Sequence, residues 1–195
     1  MPRAAAAIAT ALLLLAGCGS GNGSEEQAEE PAATRTATTA DCDPLPGGSM
    51  QKQERPAPAS APTIFLTDVQ IEARDCSDRV SFTFRDGAGL PGYSVSYEPA
   101  STAKIEDGSG RPVEIAGSDF LVVRFMNAMT AEITGEEVTP TYTGPRRIKA
   151  EETRFVREVV KTGDFEALVT WVIGIDGKRP FTATASDAHL VVEVG

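Results

Sequence analysis

From residue 63 onward the 195-residue sequence predicts an all-β domain, a β-sandwich or partial barrel of about eight or more short strands. Three observations carry this reading. Apolar and polar residues alternate at period two, Gly, Pro and Asp turns recur at intervals of roughly 8 to 15 residues, and a single segment shows helical spacing.

Taken in order, Val80, Phe82 and Phe84 alternate with Ser81 and Thr83, the pattern of a half-buried strand. Asp86-Gly87 and Pro91-Gly92 punctuate before Tyr93, Val95 and Tyr97 alternate again, which reads both tyrosines as core or half-buried. Asp107-Gly108 and Gly110 mark the next turn, ahead of Val113 and Ile115. Residues 119–126, DFLVVRFM, are almost continuously apolar, as expected of a central strand covered on both faces. The following run puts Phe165, Ala167, Val169, Trp171, Ile173 and Ile175 on one face, with Trp171 in the core. The last strand turns Leu190, Val192 and Val194 inward and His189 outward. Residues 147–163 fit a helix partly, through Ile148, Phe155, Val156, Val159 and Val160. A strand over 153–159 with Phe155, Arg157 and Val159 on one face fits about as well, and the strand reading is preferred. No internal repeat is visible.

The region before residue 63 has a different character. Residues 1–17 read as an export signal: Arg3, then an apolar run over 4–15. Such a run rises only ~18 Å as a helix, and a bilayer span needs ~20 residues. Leu15-Ala16-Gly17-Cys18 resembles the lipobox of bacterial lipoproteins. That resemblance implies cleavage before Cys18, a diacylglycerol thioether on its sulfur, and a chain held at the outer face of the cytoplasmic membrane. The competing reading is an ordinary cleaved signal with an incidental cysteine. Residues 18–62 are rich in Gly, Ser, Thr, Ala, Pro and Glu and nearly free of large apolar side chains, so they read as a flexible linker. Its ~44 residues have an r.m.s. reach of roughly 36 Å. The acidic run at 25–30 reads as a solvated spacer rather than an interaction tail.

A formal net charge of −10 argues against nucleic acid, whose phosphates call for clustered Lys and Arg, and against electrostatic docking on anionic lipid. Membrane attachment would then rest on the acyl chains. With Cys18 lipidated, Cys42 and Cys76 remain as an even pair, favouring a disulfide over two free thiols in an oxidising compartment. Closing a loop of that size contributes roughly 4 kcal/mol in the chain-entropy model. No metal site is expected from a single histidine without a Cys-x-x-Cys pair, and no cofactor is called for. The same lone His189 argues against a zinc hydrolase, and no G-x-S-x-G elbow is present. Glu106, Asp107, Asp119 and Asp164 read as turn and cap acids, although a carboxylate-based wall hydrolase or lyase leaves no spacing to test. The best recognition candidate is Tyr142-Thr143-Gly144-Pro145-Arg146-Arg147: Tyr142 to stack on a sugar face, Arg146 and Arg147 to pair with carboxylates. The plainer alternative is a proline turn entering a strand, with solvated arginines.

Several segments together resemble the AMIN-like domain of actinobacterial lipoproteins and exported proteins. They are DRVSFTF at 78–84, GLPGYSVSYEP at 89–99, FLVVRF at 120–125, YTGP at 142–145, GDFEALVTWVIGID at 163–176, RPF at 179–181 and LVVEV at 190–194. The resemblance implies a non-catalytic β-sandwich module of the cell envelope, related to AMIN domains that target proteins by binding peptidoglycan. It brings no catalytic residues, and it implies peptidoglycan or a wall-associated protein as partner. A solute-binding or scaffold lipoprotein is the remaining alternative.

Overall fold

The computed structural model describes residues 42–57, 60–87 and 89–195; the export signal, Cys18 and the first part of the linker lie outside them. Thirteen strands and one helical turn occur among the described residues. In chain order they are β1 (Gln53–Arg55), β2 (Ile64–Ala73), β3 (Asp78–Phe84), β4 (Gly92–Glu98), α1 (Ala100–Ala103), β5 (Asp119–Met126), β6 (Ala128–Met129) and β7 (Ala131–Thr134). There follow β8 (Glu137–Pro140), β9 (Arg147–Lys149), β10 (Val156–Phe165), β11 (Leu168–Ile175), β12 (Phe181–Ser186) and β13 (His189–Val194).

The strands form a β-sandwich. One sheet has the order β1-β4-β5-β11-β10-β9 and the other β12-β13-β3-β2-β6, while β7 and β8 make a separate two-stranded ribbon. Every pairing is antiparallel except β2 with β6. Alternation in β3 sends Val80, Phe82 and Phe84 inward, where Phe82 meets the rings of Phe125 and Trp171 edge-on at 5.1 and 6.1 Å. Burying such aromatics dominates the energetics; truncating one to Ala typically costs about 3–5 kcal/mol.

The run at 119–126 is apolar on both faces because two cores flank it. Leu121, Val123 and Phe125 join the inter-sheet core, whereas Phe120 and Val122 belong to a second cluster with Ala103, Ile115, Val160 and Val172. That second cluster is roofed by residues 100–117, which cross the outer face of the six-stranded sheet. Gly174 permits the crossing: a Cβ there would overlap the carbonyl oxygen of Ala116.

Three expectations need correction. The linker was expected to extend to residue 62, yet Ser49 is bridged to Phe181 and β1 pairs with β4, so this stretch is part of the sandwich edge. Gln53 completes that edge, its amide bonding the Phe181 carbonyl and the Ala183 N–H at 2.8 Å each. Phe165 and Ala167 do not share the inner face of β11. Glu166 and Ala167 form the two-residue turn between β10 and β11 at φ 52° and 59°, and Phe165 is 62 % exposed. The alternation runs across a turn that carries no Gly or Asn to announce it. Finally, β10 begins at Val156, and a bulge between Val156 and Glu158 places Val156 and Val159 inward and leaves Phe155 and Arg157 half-buried.

Candidate functional site

The roof segment and β10 enclose a groove. Its main hollow, about 690 Å³, lies between Glu106–Ser109 on one side and Arg146 and residues 161–165 on the other. A second hollow of about 460 Å³ adjoins it at Glu106 and Arg146 and continues towards Arg111, Arg147 and Val160. A third, about 410 Å³, adjoins it at Asp107, Gly108 and Phe165 and ends at the β10–β11 turn. The three are in line along β10, whose stretch from Val160 to Phe165 covers roughly 17 Å.

Local chemistry holds the groove open. The Asp107 N–H donates to the Thr162 carbonyl at 2.9 Å, fastening the roof to a bulge between Lys161 and Gly163. Gly163 leaves room for the Asp107 carboxylate, which a Cβ there would push aside. At the opposite edge Glu158, 4 % exposed, accepts from the Ala116 N–H at 2.5 Å and from Arg147 at 2.5 and 2.6 Å. Arg147 also donates to the Glu114 carbonyl at 2.6 Å, so its guanidinium clamps the roof down.

Where the first two hollows meet, Glu106 is cradled by three side chains. Ser109 donates to Oε2, Arg146 approaches Oε1 at 2.5 Å, and Arg111 approaches Oε2 through Nε and Nη2 at 3.2 and 3.1 Å. The Ser109 hydroxyl, followed by the Arg146 and Arg111 guanidiniums, holds the Glu106 carboxyl down to about 2. It is therefore ionised at neutral pH and offers charge rather than a proton. The two arginine side chains keep 77 % (Arg111) and 53 % (Arg146) of their surface exposed, whereas Glu106 keeps 15 %. Deeper in the main hollow, Lys161 bonds Thr130 and Asp164 at 3.0 Å each.

The three recognition candidates separate in space. Arg146 lines the groove, with Nε on the Lys161 carbonyl at 2.8 Å and Nη2 on Glu106. Arg147 lines the second hollow but is committed to Glu158 and Glu114. Tyr142 is 7 % exposed, its ring edge-on to Trp171 at 5.4 Å and its hydroxyl donating to the Pro145 carbonyl at 2.8 Å. No face of it is left for a sugar. Burial, then the charge of Asp68, pushes its phenol up to about 12. Tyr142 instead shapes the turn that delivers Arg146. Of the other groove residues, the sequence reads Glu106, Asp107 and Asp164 only as turn and cap acids and Phe165 only as a strand-face residue, and it does not single out Lys161.

At the far end of the sandwich, Cys42 and Cys76 are joined by a disulfide with Cα atoms 5.4 Å apart. Beside it the buried Asp78 carboxylate accepts the backbone N–H groups of Arg154, Phe155 and Val156 at 3.1, 2.6 and 2.8 Å. Strand β10 runs from this end to the groove tip at Phe165, about 30 Å away.

The family model of the AMIN-like domain matches residues 64–195. No curated protein and no solved structure matches this chain. The protein belongs to the AMIN-like domain family.

Proposed function

We propose that this AMIN-like domain protein is a lipid-anchored, non-catalytic binding module of the cell envelope, with peptidoglycan or a wall-associated protein held along the β10 groove. One observation carries the reading beyond family membership: three hollows lie in line, with cations, acids and the exposed Phe165 along them, a form suited to an extended ligand rather than a small solute. Arg146 supplies a charged contact, and Tyr142 acts through the turn it supports. In this reading residues 1–17 are the export signal, Cys18 carries the lipid, and the tether ends near Cys42, where the disulfide secures the chain to the folded body. The tether then joins the folded body beside the disulfide, at the opposite end of β10 from the groove tip.

Two measurements test this. Metabolic labelling with palmitate should mark the wild-type protein and spare Cys18→Ser; equal labelling would remove the anchor. Detergent-solubilised full chain should sediment with purified peptidoglycan at moderate salt, and Arg146→Ala together with Phe165→Ala should lower the retained fraction about tenfold, near 1.4 kcal/mol. Wild-type protein that stays wholly soluble would remove peptidoglycan as the ligand.

A further inference from the structure

The meeting point of the first two hollows is built as an anion site, and the protein fills it with a carboxylate of its own. Glu106 receives one hydroxyl and two guanidiniums, and both guanidiniums stay largely open to solvent on their other sides. Arg146 Nη1 has no partner among the described residues. Arg111 and Arg146 together carry one charge more than Glu106, and Asp107, the adjoining acid of the main hollow, stands beside them in no ion pair among the described residues. The neighbouring pairs Arg147–Glu158 and Lys161–Asp164 are balanced. Glu106 also crosses the groove, bridging the roof segment to the residue before β9, and so divides two hollows of about 690 and 460 Å³.

We infer that Glu106 is an internal stand-in for a ligand carboxylate, and that the groove takes a carboxylate-bearing chain whose acid displaces Glu106 from Arg111 and Arg146. This rests on the groove being the envelope-binding site, and it names the chemistry read there. Arginine suits the exchange because its planar fork pairs with either carboxylate in the same geometry. Displacement joins the two hollows into one continuous groove. The intact bridge is a built-in competitor, so that a chain offering carboxylates in register is retained and a neutral one is not.

Glu106→Gln removes a groove charge yet should raise retention of the detergent-solubilised full chain on peptidoglycan about tenfold, because the competitor is gone. Ser109→Ala, which removes a hydroxyl from Glu106 and a long 3.4 Å contact from Arg111 Nε but keeps both guanidiniums, should raise it by a smaller step and serves should Glu106→Gln fold poorly. Arg111→Ala with Arg146→Ala should lower it. Peptidoglycan whose carboxyls have been amidated should lose its preference for Glu106→Gln over wild type. Retention of Glu106→Gln and Ser109→Ala at or below the wild-type level, with wild type still bound, overturns the displacement and leaves the envelope reading standing. If neither wild type nor Glu106→Gln sediments, both fall.

Discussion

Asp78 and Glu106 show two uses of an acid in one domain. Asp78 is fully buried and its oxygens are consumed by three backbone N–H groups, which join the start of β3 to the start of β10. Asp78→Ala leaves those donors without a partner and should cost about 3 kcal/mol, read from the urea midpoint. Asp78→Asn keeps one acceptor oxygen and should cost less. Glu106 instead works through its charge. Its folded carboxyl is held at about 2 against an ordinary 4.5, and Glu98 and Glu193 are also lowered, by Arg124 and by Ser77 respectively. Groups depressed in the folded state contribute stability above their unfolded values and lose it as pH falls through the folded ones. The melting temperature should therefore hold from pH 7 to about 5 and fall between roughly pH 4.5 and 2. Tyr142 has the opposite sign: raised to about 12, it contributes below pH 10 and is lost as pH climbs through about 12.

Among the elements, legibility followed burial. Residues 119–126 are readable because both faces of β5 are covered, one by the facing sheet and one by the roof. The alternation of β3 and β13 is readable because one face meets the core and the other is more open. The β10–β11 turn was not readable, since Glu166 and Ala167 take left-handed φ values with side chains that do not advertise it. Such residues cost of order 1 kcal/mol each, so replacing Glu166-Ala167 by Asn-Gly should stabilise the domain by about 1–2 kcal/mol, seen as a higher melting temperature. The one-turn α1 is too short for any periodicity to reveal. The groove was illegible for a further reason: Glu106 and Arg146 are 40 residues apart and meet only because the roof folds back over β10. Gly163→Val should spread that contact and lower stability by about 1–3 kcal/mol.

For the whole molecule, the sandwich sets a direction. The disulfide end and the groove tip are separated by the length of β10, about 30 Å. Cys76→Ser should lower stability by about 2–4 kcal/mol in a denaturant titration, while the sheet pairings themselves persist. The central claim is that the groove beside β10, and not the open face of the five-stranded sheet, meets the envelope ligand. Hydrogen exchange of the full chain with and without solubilised peptidoglycan fragments tests it most directly. Slowed exchange confined to residues 104–111 and 160–168 is the predicted result. Protection confined to β12, β13 and β3, with the groove amides unchanged, would contradict it.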